Sequence, residues 1–322
     1  MRPLSCVEDR RLKGNLSRAA KQAIAAIEAK AGTSRVEIPM PDDLAGWSAL
    51  FERQEAAVAP ANERSLARYR PALQDMRLGR IPALAITPTT RVGTSARIVY
   101  LHGGAYTLFS ARSTLFASVP LAHDLGLELW SIDYPRAPHT RYERTVPLVS
   151  EAIAAACADG VPVLLVGDSA GGGLALAATR RLVEEGAPAP SALVLWSPWT
   201  DLAAKAPSPG ALAAIDPVLR SEPDLSRAAL AYAPAACLTL ADVSPLRGEF
   251  TSTFPPTLIQ CGSREILLPD AACLHHVLAK AGCRAVLDIH PGMLHSYPAI
   301  LPDLPEARAA RRRLARFFHL LG

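Results

Sequence analysis

The sequence has no apolar run that approaches the roughly 20 residues needed for a membrane-spanning helix. Half of its 322 residues are hydrophobic and 20% are charged, which is typical of a globular protein with a large core. The first residues, MRPLSCVEDRRLKGNL, lack the apolar segment of a secretory signal, and no hydrophobic stretch precedes Cys6 to indicate a lipoprotein. We therefore expect a cytoplasmic protein without stable membrane insertion.

Metal-binding and redox patterns are also missing. There is no CxxC pair and no Cys/His ligand spacing, so the cysteines are expected to be free thiols in a reducing compartment. The six cysteines are irregularly spaced: Cys6, Cys157, Cys237, Cys261, Cys273 and Cys283. Neither a metal site nor a disulfide framework is predicted.

The net charge of +4 comes with no basic patch interleaved with aromatic residues, which are only 6% of the chain. The most basic stretch, ARAARRRLARFF at 307–318, alternates arginine with alanine and leucine. That pattern favours a terminal helix with a solvated basic face over a nucleic-acid partner.

From about residue 78, short β-rich runs alternate with alanine- and leucine-rich helical stretches. The β-rich runs cover 81–86, 96–101, 127–132, 161–166, 192–197, 256–261 and 285–290. The helical stretches between them cover 112–125, 142–158, 171–185 and 270–282. This alternation predicts an α/β fold with a mainly parallel central sheet flanked by helices.

Two stretches depart from the alternation. Residues 15–77 have helical spacing of apolar residues, and about 199–250 contains short helical pieces between prolines but no clear strand. We expect about 199–250 to be an insertion that joins the N-terminal helices over one end of the sheet.

The pentapeptide GDSAG at 167–171 fits the pattern G-x-S-x-G. It lies between a buried β-rich run and an alanine-rich helix, which is the context in which a tight turn presents a serine nucleophile above a sheet. Only very small residues two positions either side of Ser169 let the chain segments pass. The helix N-terminus also favours developing negative charge. A phosphate-binding turn, or simple N-capping by Ser169, is the structural alternative.

A second loop, HGGAY at 102–106, follows the run at 96–101. In hydrolases built this way, backbone N–H groups from such a loop join the N–H after the nucleophile to hold an oxyanion. Gly103, Gly104 and Ala170 are the donors predicted here. The alternative is a flexible turn, with His102 organising the loop rather than carrying a proton.

A serine nucleophile needs a histidine base and an acid that orients it. Because this architecture places nucleophile, acid and histidine in that chain order, the choice among eight histidines falls on His295, in a loop after the last β-rich run. The remaining histidines precede the serine or fall in predicted helices or at a strand end: His102, His123, His139, His275, His276, His290 and His319. For the acid, Glu265 follows the run at 256–261, with Asp270 and Asp288 as alternatives.

Taken together, these segments resemble the hormone-sensitive-lipase-like esterases of the α/β-hydrolase superfamily. Members of that family have an HGGG loop and a GDSAGG nucleophile elbow. DYPRAP at 133–138, SPWTDL at 197–202 and IDPVLR at 215–220 are similar to further blocks of that family. So are VSPLRGEF at 243–250 and PPTLIQCGSREILLPDA at 255–271. The departures are Ala105 for the third glycine, His139 for a frequent glutamate, and Glu265 for the commoner aspartate.

The resemblance implies an α/β-hydrolase fold with 1–77 as an N-terminal helical cap segment and 78–322 as the catalytic domain, with a cap insertion at about 199–250. It also implies a carboxylic ester hydrolase that needs no cofactor. Its substrate would be a small or short-acyl, rather apolar ester, with lactones included. Amide or N-acetyl hydrolysis by the same triad is the main alternative, followed by a non-catalytic receptor and a lyase. Tyr106, Trp199 and Leu267 are candidates for substrate contact or for packing, and a homodimer is a further expectation from the family.

Overall fold

Eight strands form one sheet in the computed structural model, which describes residues 16–33, 37–91, 93, 95–203 and 212–319. The order across the sheet is β1-β2-β4-β3-β5-β6-β7-β8. Strands β3 to β8 are parallel to one another, whereas β1 and β2 pair antiparallel at one edge. The predicted α/β class with a mainly parallel sheet is confirmed.

From β2 onwards, strands and helices alternate along the chain nearly as the sequence predicted. The strands are β1 (Ala72–Leu78), β2 (Ile81–Thr87), β3 (Arg97–Leu101), β4 (Glu128–Ile132), β5 (Val163–Asp168), β6 (Ala192–Trp196), β7 (Thr257–Gly262) and β8 (Ala285–His290). The helices are α1 (Arg18–Thr33), α2 (Leu44–Tyr69), α3 (Leu115–Leu125), α4 (Tyr142–Cys157), α5 (Ala170–Glu184), α6 (Ser226–Tyr232), α7 (Leu268–Lys280), α8 (Tyr297–Ile300) and α9 (Pro305–His319).

The central strands are apolar on both faces because helices cover both sides of the sheet. In β5, Leu165 belongs to a core cluster with α4, α5 and α7, while Leu164 and Val166 belong to a second cluster with α3 and α9. This division follows from the two-residue period of a strand, which points neighbouring side chains to opposite faces. A continuous apolar run is therefore the expected sequence of a doubly covered parallel strand.

The helical prediction for 15–77 is wrong at its end, since the sheet begins at Ala72. Strand β1 joins β2 through a turn in which Gly79 has φ +54°. Because β1 is an edge strand and most of its side chains are exposed, its sequence ALQDMRL shows no clear apolar alternation. A strand could therefore not be predicted from this sequence.

The solvated-face prediction for the terminal helix is also incomplete. Arg312 and Arg316 of α9 are exposed, but the side chain of Arg311 is fully buried and bonds Asp124. Position 311 lies on the same helical face as Ala307, Ala310 and Leu314, which form the buried stripe of the helix. An arginine on that stripe points into the protein.

The predicted cap is described only in part, since residues 1–15, 34–36 and 204–211 lie outside the described ranges. Of 1–77 and 199–250, the structure describes 16–33, 37–77, 199–203 and 212–250, which contain α1, α2 and α6. Among the described residues, no helix combines the length and apolarity needed to cross a bilayer.

Candidate active site

Ser169 occupies a strained turn between β5 and α5, with φ +54° and ψ −120°. Its N–H donates to the carbonyl of Trp196 at 2.8 Å, and its own carbonyl accepts from the N–H of Trp199 at 3.0 Å. A non-glycine residue in such a conformation costs of order 1–3 kcal/mol and persists only where surrounding bonds enforce it. Strand β6 and the segment after it provide those bonds.

The two glycines that flank Ser169 are required by close backbone contacts. A Cβ atom on Gly167 would lie 2.5 Å from the carbonyl oxygen of Gly171, and one on Gly171 would lie 2.1 Å from that of Leu101. Real Cβ atoms do not approach other atoms so closely. The turn around Ser169 is therefore packed too tightly for any larger residue at these two positions.

His295 and Glu265 form a buried pair at the same edge of the sheet. The Nδ1 atom of His295 lies 2.9 Å from Oε2 of Glu265, and the two residues are 4% and 0% exposed. The alternative acids are engaged elsewhere. Asp270 accepts from the backbone N–H groups after β6, and Asp288 accepts from Gln260 and Arg313. Of the three candidates, Glu265 is the one bonded to His295.

The charge of Glu265 changes the titration of His295. Burial lowers the pKa of the imidazole, but the hydrogen bond and negative charge of Glu265, aided by Asp216 and Asp168, outweigh it and raise the pKa above its ordinary value. The Nε2 atom lies 3.3 Å from Oγ of Ser296. With Nδ1–H donated to Glu265, Nε2 is left without a proton and can accept a hydrogen bond.

The oxyanion prediction needs one correction. The N–H of Gly103 donates to Oδ1 of Asp168 at 2.9 Å, so this group is already bonded. Among the described residues, the N–H groups of Gly104, Ala105 and Ala170 have no hydrogen-bond acceptor. Gly104 and Ala105 line the same cavity as Ser169 and His295. The available donors of the loop are therefore one position further along the chain than predicted.

His102 organises this loop, as expected of it, and lies away from the base. It is fully buried, its ring stacks on Tyr134 at 4.3 Å, and its Nδ1 lies 2.8 Å from the carbonyl of Gly103. Burial lowers the pKa of His102 to about 4, so the ring is neutral at pH 7 and donates through Nδ1.

A cavity of about 290 Å³ contains the site. Ser169 and His295 lie in its wall beside apolar residues of α2 and of the segment before α6, among them Trp47, Leu219 and Leu225. Within the described part of the chain, no lysine or arginine lines it. Groups of three or more His, Cys, Asp or Glu side chains able to hold a metal do not occur among the described residues.

The three candidate substrate contacts take packing roles instead. Tyr106, Trp199 and Leu267 are at most 5% exposed, belong to one core cluster, and do not line the cavity. Tyr106 stacks on Tyr232 with ring centroids 3.9 Å apart. The stacked rings of Tyr106 and Tyr232 connect the HGGAY loop to α6.

Several residues that support the site were missed in the sequence. Asp168 holds the HGGAY loop, and Oγ of Ser197 accepts the N–H of Ser296 at 2.8 Å, which anchors the loop that carries His295. Asp216 accepts the N–H of Ile266 at 2.9 Å next to Glu265. Each lies in a segment that resembles the family, at 167–171, 197–202 or 215–220. That resemblance is the sequence feature that could have identified them.

Comparison with known proteins identifies the family and the fold of the chain. A family model described as alpha/beta hydrolase fold matches residues 98–299. An acetyl-hydrolase of Streptomyces hygroscopicus is 35% identical over 72% of this chain and 78% of that protein. An esterase of Acinetobacter venetianus is 29% identical over 68% of this chain and 73% of that protein. A solved esterase from the bacterial hormone-sensitive lipase family, 28% identical, superimposes with a TM-score of 0.79 over 94% of this chain and 97% of that one.

Proposed function

Because the chain belongs to the α/β-hydrolase family, in its hormone-sensitive-lipase-like branch, and is a carboxylesterase-type hydrolase, we propose that Ser169, His295 and Glu265 hydrolyse small, neutral, apolar esters through an acyl-enzyme. The observation that carries the proposal is the convergence of three groups at one edge of the sheet. A strained serine and an imidazole line one cavity, and a buried carboxylate bonds the far side of that imidazole.

In the proposed first half-reaction, Oγ of Ser169 attacks the ester carbonyl while Nε2 of His295 takes its proton. The C–O bond to the alcohol then breaks, and His295 returns the proton to the departing oxygen. Glu265 fixes the tautomer with Nδ1 protonated and stabilises the imidazolium formed in each transfer. In the second half-reaction, water takes the place of the alcohol and releases the acid.

The negative charge on the tetrahedral intermediate requires preorganised donors. We assign this role to the N–H groups of Gly104, Ala105 and Ala170, in place of the predicted set that included Gly103. Removing one such donor typically costs 10²–10³ in kcat. The bond from Gly103 to Asp168 then serves to hold the loop in position rather than to contact the substrate.

The cavity supports neutral esters over anionic ones. Its charged lining residues, Asp168 and Asp224, are both acidic, and the rest of its wall is largely apolar. We propose that α1, α2 and the segment from 212 through α6 form the cap that shapes this pocket. The cap side chains Trp47, Leu219 and Leu225 would contact the apolar part of the substrate.

The direct test is Ser169→Ala assayed with short p-nitrophenyl esters. We expect the wild-type protein to hydrolyse p-nitrophenyl butyrate and the variant to fall to a trace, because nucleophile removal in a triad costs about 10⁶ in kcat. Ser191→Ala, which removes an exposed hydroxyl just before β6 and lines no part of the cavity, is the control. Substantial hydrolysis by Ser169→Ala would reject the assignment.

The same triad can cleave lactones and amides, so the substrate class needs its own comparison. Relatives with the name acetyl-hydrolase make small acyl groups the first candidates. Wild-type kcat/KM on matched acetyl esters, lactones and acetanilides would rank the three. We expect the esters to rank first, and acetanilides ahead of the esters would favour the amide alternative.

A further inference from the structure

A second cavity of about 210 Å³ lies next to the catalytic cavity. Phe116 and Ile300 line both cavities. The second cavity lies between α2, the first turns of α3 and the chain that joins α8 to α9. These two residues therefore lie where the space beside Ser169 meets the second space, and we call them the partition.

We propose that the second cavity is a subsite for the distal part of a linear alkyl chain, and that Phe116 and Ile300 set the chain length that the enzyme accepts. The inference rests on the proposed ester hydrolysis and specifies its substrate class. It assigns a role in chain-length selection to Phe116 and Ile300, which form no hydrogen bond with Glu265 or His295.

The backbone on one side of the partition is fixed. Asn62 of α2, which is 9% exposed, accepts the N–H of Phe116 at 2.8 Å and donates to the carbonyl of Ser113 at 2.9 Å. A buried amide satisfied at both ends holds its partners in one position. The Phe116 ring, which is only partly buried, is consequently the part on this side that can turn.

The backbone on the other side is fixed as well. Arg311 donates to the carbonyls of Pro298 and Pro302, which lie on either side of Ile300, and its guanidinium bonds Asp124. The N–H of Ile300 donates to the carbonyl of Ser296 at 3.0 Å. The width of the opening is thus set by two side chains rather than by the backbone.

The wall of the second cavity has the chemistry of an alkyl-chain site. Beyond the partition it is formed by Ala61, Pro120, Leu301, Pro302 and Leu304, with Ser65 and the exposed Arg64 and Asp303 completing it. Its charged residues are Arg64 and Asp303, and Asp303 is already paired with Arg68 at 2.7 Å. An uncharged chain gains from this wall, since each methylene moved out of water favours binding by a factor of about four.

The test compares chain-length profiles of the wild type and Phe116→Ala. Two substrate series are assayed: p-nitrophenyl esters from butyrate to dodecanoate, which lengthen the acyl side, and alkyl acetates from ethyl to decyl, which lengthen the alcohol side. We expect Phe116→Ala to raise the octanoate-to-butyrate ratio of kcat/KM, or the corresponding alcohol-side ratio, by about tenfold or more. The series that responds identifies which end of the ester enters the second cavity.

Phe318→Ala is the matched control. Phe318 packs against the same core cluster as Phe116, is also half-buried, and lines neither cavity. Its profile should match that of the wild type. Ile300→Ala and the milder Phe116→Leu open the partition from either side and keep the test decisive if Phe116→Ala does not fold.

The outcomes separate the inference from the proposed function. If folded Phe116 and Ile300 variants hydrolyse butyrate but keep the wild-type ratio in both series, the partition assignment is overturned and the ester hydrolase stands. If the Phe318 variant shifts equally, the effect is loss of packing and the inference is overturned as well. If the wild-type protein hydrolyses no ester in either series, the proposed function itself fails.

Discussion

At the scale of single residues, the carboxylate of Glu265 sets where His295 titrates. Activity needs neutral His295, so kcat/KM should rise with pH through a pKa that lies above the ordinary imidazole value. In Glu265→Gln the charge that raises this pKa is gone while burial, which lowers it, remains. We expect the acid limb of the pH–kcat/KM profile to move to lower pH, with the plateau reduced about 10²–10⁴-fold because the tautomer and the imidazolium lose their support.

Asp288→Asn is the control for that profile, because Asp288 bonds Gln260 and Arg313 instead of His295. Its acid limb should coincide with that of the wild type. An unmoved limb in Glu265→Gln, or a moved one in Asp288→Asn, would contradict the assignment of the acid.

The carboxylate of Asp168 acts through the loop that it holds. Its Oδ1 atom accepts both the N–H of Gly103 and the hydroxyl of Tyr100. Asp168→Ala leaves these two buried donors without an acceptor, at about 1–3 kcal/mol each. We expect kcat to fall roughly 10–100-fold with KM little changed, because the displaced loop weakens contacts made only in the transition state.

Asp168→Asn keeps an oxygen in the Oδ1 position and should recover most of the lost kcat. The comparison is made by steady-state kinetics on p-nitrophenyl butyrate. Equal losses in the alanine and asparagine variants would mean that the charge, rather than the two hydrogen bonds, is what matters.

At the scale of elements, Arg311 of α9 forms hydrogen bonds with α3, with α8 and with the chain between α8 and α9. It bonds Asp124 at 2.8 Å and the carbonyl of Pro302 at 2.8 Å, with a fully buried side chain. Arg311→Met removes the partner of Asp124, whose side chain is 26% exposed, and the donors to the carbonyls of Pro298 and Pro302, and we expect a loss of about 1–3 kcal/mol. Arg312→Ala, an exposed neighbour on the same helix, should change the free energy of unfolding by less than about 0.5 kcal/mol.

Urea denaturation of both variants measures the difference. A Met variant as stable as the Arg312 control would show that the buried guanidinium contributes nothing net, which would contradict the role given to it in fixing α8.

The elements that could be predicted from sequence are those with a strong local pattern. Strand β5 was expected at 161–166 and lies at Val163–Asp168, and the helix after it was expected at 171–185 and lies at Ala170–Glu184. A buried parallel strand followed by a glycine-rich turn and an alanine-rich helix is specified by adjacent residues. The edge strand β1, with mostly exposed side chains, carries no such pattern and was missed.

The candidate site was predictable where chain order determines it and not where packing does. Ser169, Glu265 and His295 follow from motif, spacing and strand ends. The N–H of Gly103 donates to the carboxylate of Asp168, which is 65 positions away in the sequence. No local sequence pattern predicts such a long-range contact. Likewise Tyr106 and Trp199 have side chains that suit either a pocket or a core, and the fold places them in the core.

At the scale of the whole molecule, a hydrogen bond joins α6 to a lining residue of the cavity that is distant in sequence. Arg227 of α6 donates from Nη1 to the carbonyl of Ile38, a residue that lies in the cavity wall. Arg227→Ala removes this link while leaving Ser169, His295 and Glu265 untouched. We expect KM for apolar esters to rise about threefold or more with kcat nearly constant, because the lost contacts bind ground state and transition state alike.

Arg181→Ala is the control, since Arg181 pairs with Glu185 on α5 away from the cavity. Steady-state kinetics should leave its KM unchanged. A fall in kcat as large as the rise in KM for Arg227→Ala would mean that the cap takes part in the chemical step.

The central claim is that Ser169 is the nucleophile activated by His295, and covalent labelling tests it most directly. A small p-nitrophenyl alkylphosphonate should form an Oγ–P bond and release p-nitrophenolate, and intact-protein mass spectrometry should show one adduct per chain. Peptide mapping should place the adduct on Ser169, with no adduct in Ser169→Ala and much slower labelling in His295→Ala. An adduct on another residue, or unchanged labelling of Ser169→Ala, would contradict the account.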